Sequence, residues 1–173
     1  YGGPSSGATN QNKTGVWDSN YKGVWHLPNG TTLGALDSTS NANNGTITGT
    51  TATSGQIDGG AIYDSTDDIT TSLTTHNSQL TYEVWAYRTG SGGGTLGRML
   101  NKNSDTLLYN ADTQLIIFDA AWSILGGSWR TTFPPNDSWH HIAVTYSYSA
   151  TSNDPIIYVD GVIQSITKTA SPN

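Results

Sequence analysis

The run Asp37-Ser38-Thr39-Ser40-Asn41-Ala42-Asn43-Asn44-Gly45 carries the clearest ligand chemistry in the chain. One carboxylate is followed by hydroxyl and amide side chains, and a turn would free backbone carbonyls beside them. Together these are the hard oxygen donors that calcium prefers. The spacing is not that of an EF-hand, which needs several more carboxylates and a closing Glu. The same residues also suit an Asx-turn loop whose side chains cap their own backbone. Sequence leaves both readings open. A second acidic stretch, Asp64-Ser65-Thr66-Asp67-Asp68, reads as a solvated turn before a strand.

A second set of groups could hold a sugar. Pyranose rings stack their C–H faces on exposed aromatic rings, and their hydroxyls pair with planar amides and carboxylates. Tyr109, Trp122 and Trp129 fall in or near loop-like segments. Asn101, Asn103, Asp105, Asn110 and Arg130 offer polar partners close by in sequence. The competing reading puts Trp122 and Trp129 in the core, because Trp is highly buried on average.

Hydrolytic chemistry finds less support. Glycosidases need two carboxylates facing each other across the scissile bond. Glu83 is the only Glu in the chain and has no acidic partner nearby in sequence. Ser, His and Asp all occur, so composition permits a triad, but no Gly-x-Ser-x-Gly elbow is present. His140 and His141 are adjacent in a strand-like run, so they point to opposite faces and cannot chelate one ion together. His26 and His76 stand alone and read as structural.

These residues must be positioned by strands. Short apolar or alternating runs recur at 23–27, 46–48, 61–63, 80–87, 98–100, 106–109, 114–118, 139–146 and 155–159. Gly, Asn, Asp, Ser or Pro clusters bound each one. No amphipathic helical stripe is present. Asp160-Gly161, between Ile156-Ile157-Tyr158-Val159 and Val162-Ile163, predicts a two-residue type I′ hairpin. The pattern predicts an all-β sandwich or barrel.

Composition narrows the partners. Of 173 residues, 7 are Lys or Arg and 13 Asp or Glu, giving a net charge of -6. Charged residues make up 12%, about half the usual share. Nucleic acid is therefore excluded as a partner, since duplex binding needs cationic surface. No apolar run reaches the length of about 20 residues that spans a bilayer, so no membrane insertion is expected. With no Cys there is no disulfide, thiolate metal site or thiol nucleophile. Six Trp and nine Tyr against two Phe favour recognition of a neutral ligand. The start at Tyr1 and the lone Met99 suggest a piece cut from a longer precursor.

Three stretches then line up in order. They are Gly23-Val24-Trp25-His26-Leu27 with the loop from Asp37 to Thr46; Leu80-Thr81-Tyr82-Glu83-Val84-Trp85-Ala86-Tyr87; and Trp139-His140-His141-Ile142-Ala143-Val144-Thr145-Tyr146 with Tyr158-Val159-Asp160-Gly161. As an ordered set over residues 23–165 they resemble the laminin-G-like members of the concanavalin A-like lectin/glucanase superfamily. The resemblance implies a two-sheet antiparallel β-sandwich, a jelly roll, with residues 23–173 as the lectin-like domain. It implies that residues 1–22 are a linker or the tail of an upstream surface-protein module. Trp139 and the His pair would be framework. One structural calcium ion is implied, with Asp37, Asn41 and Asn43 as ligands, and an extracellular or cell-surface setting.

One departure stands out: the family's closing strand pair is missing here. Either the sequence is truncated, or the N-terminal segment or a partner chain covers that edge, since an open edge promotes aggregation. The glucanase motif of two Glu and an Asp on one strand is also missing. The expected function is a non-catalytic carbohydrate-binding or adhesive module, bound to a polysaccharide or cell-surface glycan through Tyr109, Trp122, Trp129, Asn103, Asp105 and Arg130. A structural module of a surface filament, adhesin or phage fibre, bound to other chains of that assembly, is the alternative. A glycoside hydrolase is a third.

Overall fold

The computed structural model describes residues 12, 14–28, 30–64, 66–74, 77–90, 96–102, 105–110, 115–120 and 126–173, with the backbone alone at 96, 108–110 and 115. Among these residues every regular element is a strand. The chain divides into two compact units, residues 1–63 with 67–73, and residues 64–66 with 74–173.

The first unit holds two small antiparallel pairs. β1 (Thr46–Thr48) pairs with β4 (Asp68–Thr70), and β2 (Thr51–Ser54) pairs with β3 (Gly59–Ile62). The run 23–27, expected as a strand, contributes one isolated bridge, Trp25 to Asp37. Residues 17–22 make contacts within this unit. The Trp17 ring packs on Tyr21 at 4.8 Å and His26 at 5.8 Å, and the backbone of Tyr21 and Lys22 accepts bonds from Asn41 and Asn43.

The second unit is the sandwich. One sheet has the order β12-β11-β10-β5, formed by Val162–Ile163, Ile156–Val159, Trp139–Ser147 and Gln79–Tyr87. The other has the order β13-β9-β8-β7-β6, formed by Thr167–Ala170, Gly127–Thr132, Leu115–Ala120, Asp105–Asn110 and Leu96–Lys102. Side chains alternate across each strand, so one parity faces the core. Leu80, Tyr82, Val84 and Ala86 of β5 meet Ile142, Val144 and Tyr146 of β10 and Ile157 of β11. Leu107, Ile116, Phe118, Ala120 and Trp129 of the other sheet close the core from the opposite side.

Trp129, Tyr82 and Tyr148 enter or pack on this core with their polar tips paired. Trp129 is fully buried, ringed by Phe118 and Tyr146, and its Nε1–H donates to Asp154 Oδ1 at 2.8 Å. Buried Asp105 accepts from the hydroxyls of Tyr82 and Tyr148. The Asp160-Gly161 turn forms as predicted, with φ of 51° and 78°. Thr167–Ala170, at the C-terminal end, pairs along the edge of β9.

The tyrosine pair gives the core a pH limit. Burial, and then the charge of Asp105, push the Tyr82 hydroxyl well above its ordinary 10.0. Burial, and then the bond to Asp105, do the same for Tyr148. Both groups fold as neutral phenols, so their contribution is intact below about pH 10 and is lost as pH rises above it. Urea unfolding between pH 7 and 11.5 should show stability falling above about pH 10. The variant Tyr148→Phe should cost about 1–3 kcal/mol at pH 7, because Asp105 stays buried with one donor fewer.

Candidate functional site

The outward parity of the four-stranded sheet carries the accessible aromatic rings. Thr81, Glu83, Trp85 and Tyr87 of β5 share the parity opposite to its core residues. β10 pairs with β5 over its whole length, placing Trp139 opposite Tyr87 and His141 opposite Trp85. Facing residues on one sheet side come within contact of each other. The Tyr87 and Trp139 rings lie 5.5 Å apart edge to face, and the Trp85 and His141 rings 5.2 Å apart. Trp85 stays 39% exposed and Tyr87 45%. Glu83 Oε2 lies 3.8 Å from His141 Nε2 at the end of this row.

This strip offers flat apolar rings edged by a carboxylate and an imidazole. Such a surface can stack on the C–H face of a sugar and pair with its hydroxyls. Sequence reasoning passed over Trp85 and Tyr87, though the signal was there. They share the parity of polar Thr81 and Glu83, so their side of β5 had to face water.

At the end of the same sheet sits a polar chain of three residues. Ser138 Oγ lies 2.8 Å from His140 Nε2, and His140 Nδ1 lies 2.7 Å from Asp160 Oδ2. Asp160 Oδ1 accepts the His141 backbone N–H at 2.9 Å. The bond to His140 holds the Asp160 carboxyl below its ordinary range, against a smaller opposing effect of burial. β10–β11 pairing brings these residues together, a contact that sequence spacing could not reveal.

Among the described residues, Trp129, Asp105 and Arg130, all expected to bind sugar, do not form one exposed site. Trp129 is core, with no exposed face to stack on, and its indole N–H is spent on Asp154. Asp105 is buried against two tyrosine hydroxyls and offers nothing to a surface ligand. Arg130 lies on the parity of β9 turned away from the core, with its Nε buried and without a hydrogen-bond partner among the described residues. Trp122 and Asn103 lie outside the described residues, and for Tyr109 in β7 the same holds of the side chain.

The expected calcium ligands are used within their own loop. Asp37 Oδ1 accepts the N–H groups of Val24 and Thr39, and Oδ2 accepts Thr39 Oγ1–H and the Asn43 N–H, all at 2.8–2.9 Å. A carboxylate has about four acceptor positions, and here all four meet donors. Asn43 Oδ1 accepts from Ser72, and Asn41 Nδ2 donates to the Tyr21 carbonyl. Calcium takes 6–8 oxygen ligands, so the arrangement of Asp37, Asn41 and Asn43 does not fit that ion. Among the described residues no group of three or more His, Asp or Glu is placed to hold a metal. The loop follows the Asx-turn alternative.

A family model described as the concanavalin A-like lectin/glucanases superfamily, in its laminin-G-like branch, matches residues 58–173. The chain belongs to this family, and its antiparallel sandwich is the fold that membership implies. The match covers the second and third stretches of the resemblance and begins after the first. No curated protein and no solved structure matches the chain.

Burial raises the Asp37 pKa, but bonds from Thr39, Val24 and Asn43 outweigh it and leave the carboxyl below its ordinary 3.8. A depressed carboxyl stabilises the fold above its unfolded pKa, and that contribution is lost as pH falls through the folded value. Asp37→Ala should therefore cost about 1–3 kcal/mol at pH 7, with the difference from the parent shrinking below about pH 4. Melting curves should be unchanged by a calcium chelator. A chelator-induced drop would restore the metal reading.

Proposed function

We propose that this chain is a carbohydrate-binding or adhesive module of a secreted or cell-surface protein, and that it holds a neutral glycan on the outer face of its four-stranded sheet. Domains of this family are commonly carbohydrate-binding or adhesive. The observation that carries the reading is the exposed pair Trp85 and Tyr87, braced by His141 and Trp139 from the neighbouring strand. Rings held at their edges keep their orientation, so little side-chain entropy is lost when a ligand stacks on them. The low share of charged residues suits an uncharged ligand.

Cleaving a glycosidic bond would need a carboxylate pair. On the outward residues of these four strands Glu83 is the sole carboxylate. The proposed binding therefore leaves the chain of the glycan uncut, and it uses no metal at Asp37.

One observation favours a second reading. The same face continues into Ile156 and Ile163, both exposed, and an apolar sheet face of that kind can also be buried by a protein partner. A structural role in a surface assembly would follow.

Calorimetry against soluble plant, algal and microbial polysaccharides separates the two. Binding should fall at least about tenfold in Trp85→Ala and Tyr87→Ala, a loss of about 1.4 kcal/mol. Because both rings are partly exposed, their melting temperatures should move by only a few degrees. Concentration-dependent oligomers that disappear in the same variants, with no glycan bound, would favour assembly instead.

A further inference from the structure

The Ser138–His140–Asp160 chain has the connectivity of a nucleophile, its base and the group that orients the base. We propose that Ser138 is a nucleophile toward esters, activated by His140 and oriented through Asp160. This goes beyond the binding reading and stands without it.

Asp160 is ionised at neutral pH, because its bond to His140 lowers its pKa. A carboxylate can only accept, so Nδ1 of His140 carries the ring proton. In the neutral imidazole Nε2 then presents its lone pair to Ser138. The serine hydroxyl has one proton and two neighbours, His140 Nε2 at 2.8 Å and the Pro135 carbonyl at 3.4 Å. The shorter contact takes it. The nucleophile and base are thus within reach of each other, and the base is held by a third group.

The backbone fixes this geometry from both sides. Asp137, just before Ser138, has a φ of 62°, unusual for a residue other than glycine, and its N–H is tied to the Arg88 carbonyl at 2.9 Å. Strain of this kind persists where the surroundings over-determine it, often at functional sites. Asp160 occupies the first centre of the type I′ turn, and its second oxygen is anchored on the His141 N–H. The His140 side chain remains 15% exposed, and Ser138 is partly exposed at the start of β10.

The chemistry balances with water as the only co-reactant. Ser138 Oγ bonds to the acyl carbon while its proton passes to His140 Nε2. The ester C–O bond then breaks, and the departing alcohol takes that proton. Water, deprotonated by the same nitrogen, attacks the acyl-serine, releasing the carboxylic acid and free Ser138. The fitting substrate class is a small acyl ester on a hydroxylated carrier, such as an acylated sugar. The three residues supply nucleophile and base, whereas oxyanion donors in such enzymes are worth about 10²–10³ in rate. Covalent labelling is therefore a more sensitive readout than turnover.

The intact chain should be treated with a fluorophosphonate probe and with p-nitrophenyl acetate, and any adduct mapped by peptide mass spectrometry. A single adduct on Ser138 is expected, together with a burst of nitrophenolate. Labelling should vanish in Ser138→Ala and slow by about a hundredfold or more in Asp160→Asn. Ser138→Ala should melt within a few degrees of the parent, so its loss of labelling reports chemistry and not folding. No adduct on folded protein, or equal labelling of Ser138→Ala, would overturn the proposal and leave the three residues as a clasp between β10 and the hairpin.

Discussion

The nine-residue register between β5 and β10 governs the second unit. Trp139 faces Tyr87 at one end and Ser147 faces Gln79 at the other, so one pairing sets the facing of eighteen side chains. A slip of β10 by one residue would send Ile142, Val144 and Tyr146 to solvent and bring Trp139 and His141 into the core. Burial of the aliphatic set therefore fixes which aromatic rings remain outside. The candidate platform is a consequence of the core. The rings on it are held by the same ladder that holds the sandwich together.

A chain with few charges has placed several of them under cover. Asp105 lies between two tyrosine hydroxyls, and Asp37 gathers four donors. At the surface, exposed Asp154 takes the Trp129 N–H and the Lys168 ammonium, the latter at 2.5 Å. Its pKa is held low by Lys168 first, against a smaller effect of burial. An unpaired carboxylate would be costly at buried Asp105 or Asp37, and pairing makes each a determinant of local geometry instead. The scarcity of acidic residues thus goes with the intensive use of those present. It also explains why carboxylates that looked like ligands in the sequence are occupied in the fold.

Much of the second unit was legible in the chain. The runs 80–87, 139–146 and 155–159 become β5, β10 and β11 because alternation is a local property written in residue order. The Asp160-Gly161 turn follows from the positive φ its two centres require. β9 was not legible, since Gly127-Ser128-Trp129-Arg130-Thr131-Thr132 has no apolar alternation to show it. Its strand character comes from its neighbours β8 and β13. Trp129 was consequently read as near a loop, and burial in β9 removes it from the expected sugar site. In the first unit the loop from Asp37 showed its oxygens but not the N–H groups they would meet, which come from residues up to thirteen positions away.

Sequence alone determined the class of fold, the parity of the long strands and the type I′ turn, because each depends on residues within a few positions of one another. It also removed thiol chemistry and a basic nucleic-acid surface, which depend only on which residues are present. Tertiary structure decided what each polar side chain meets. Whether Asp37 holds a metal or a loop, whether Trp129 stacks on a sugar or on Phe118, and whether Ser138 finds His140 and Asp160 are all matters of long-range pairing. Those contacts are set by sheet order and register, and residue spacing does not encode them.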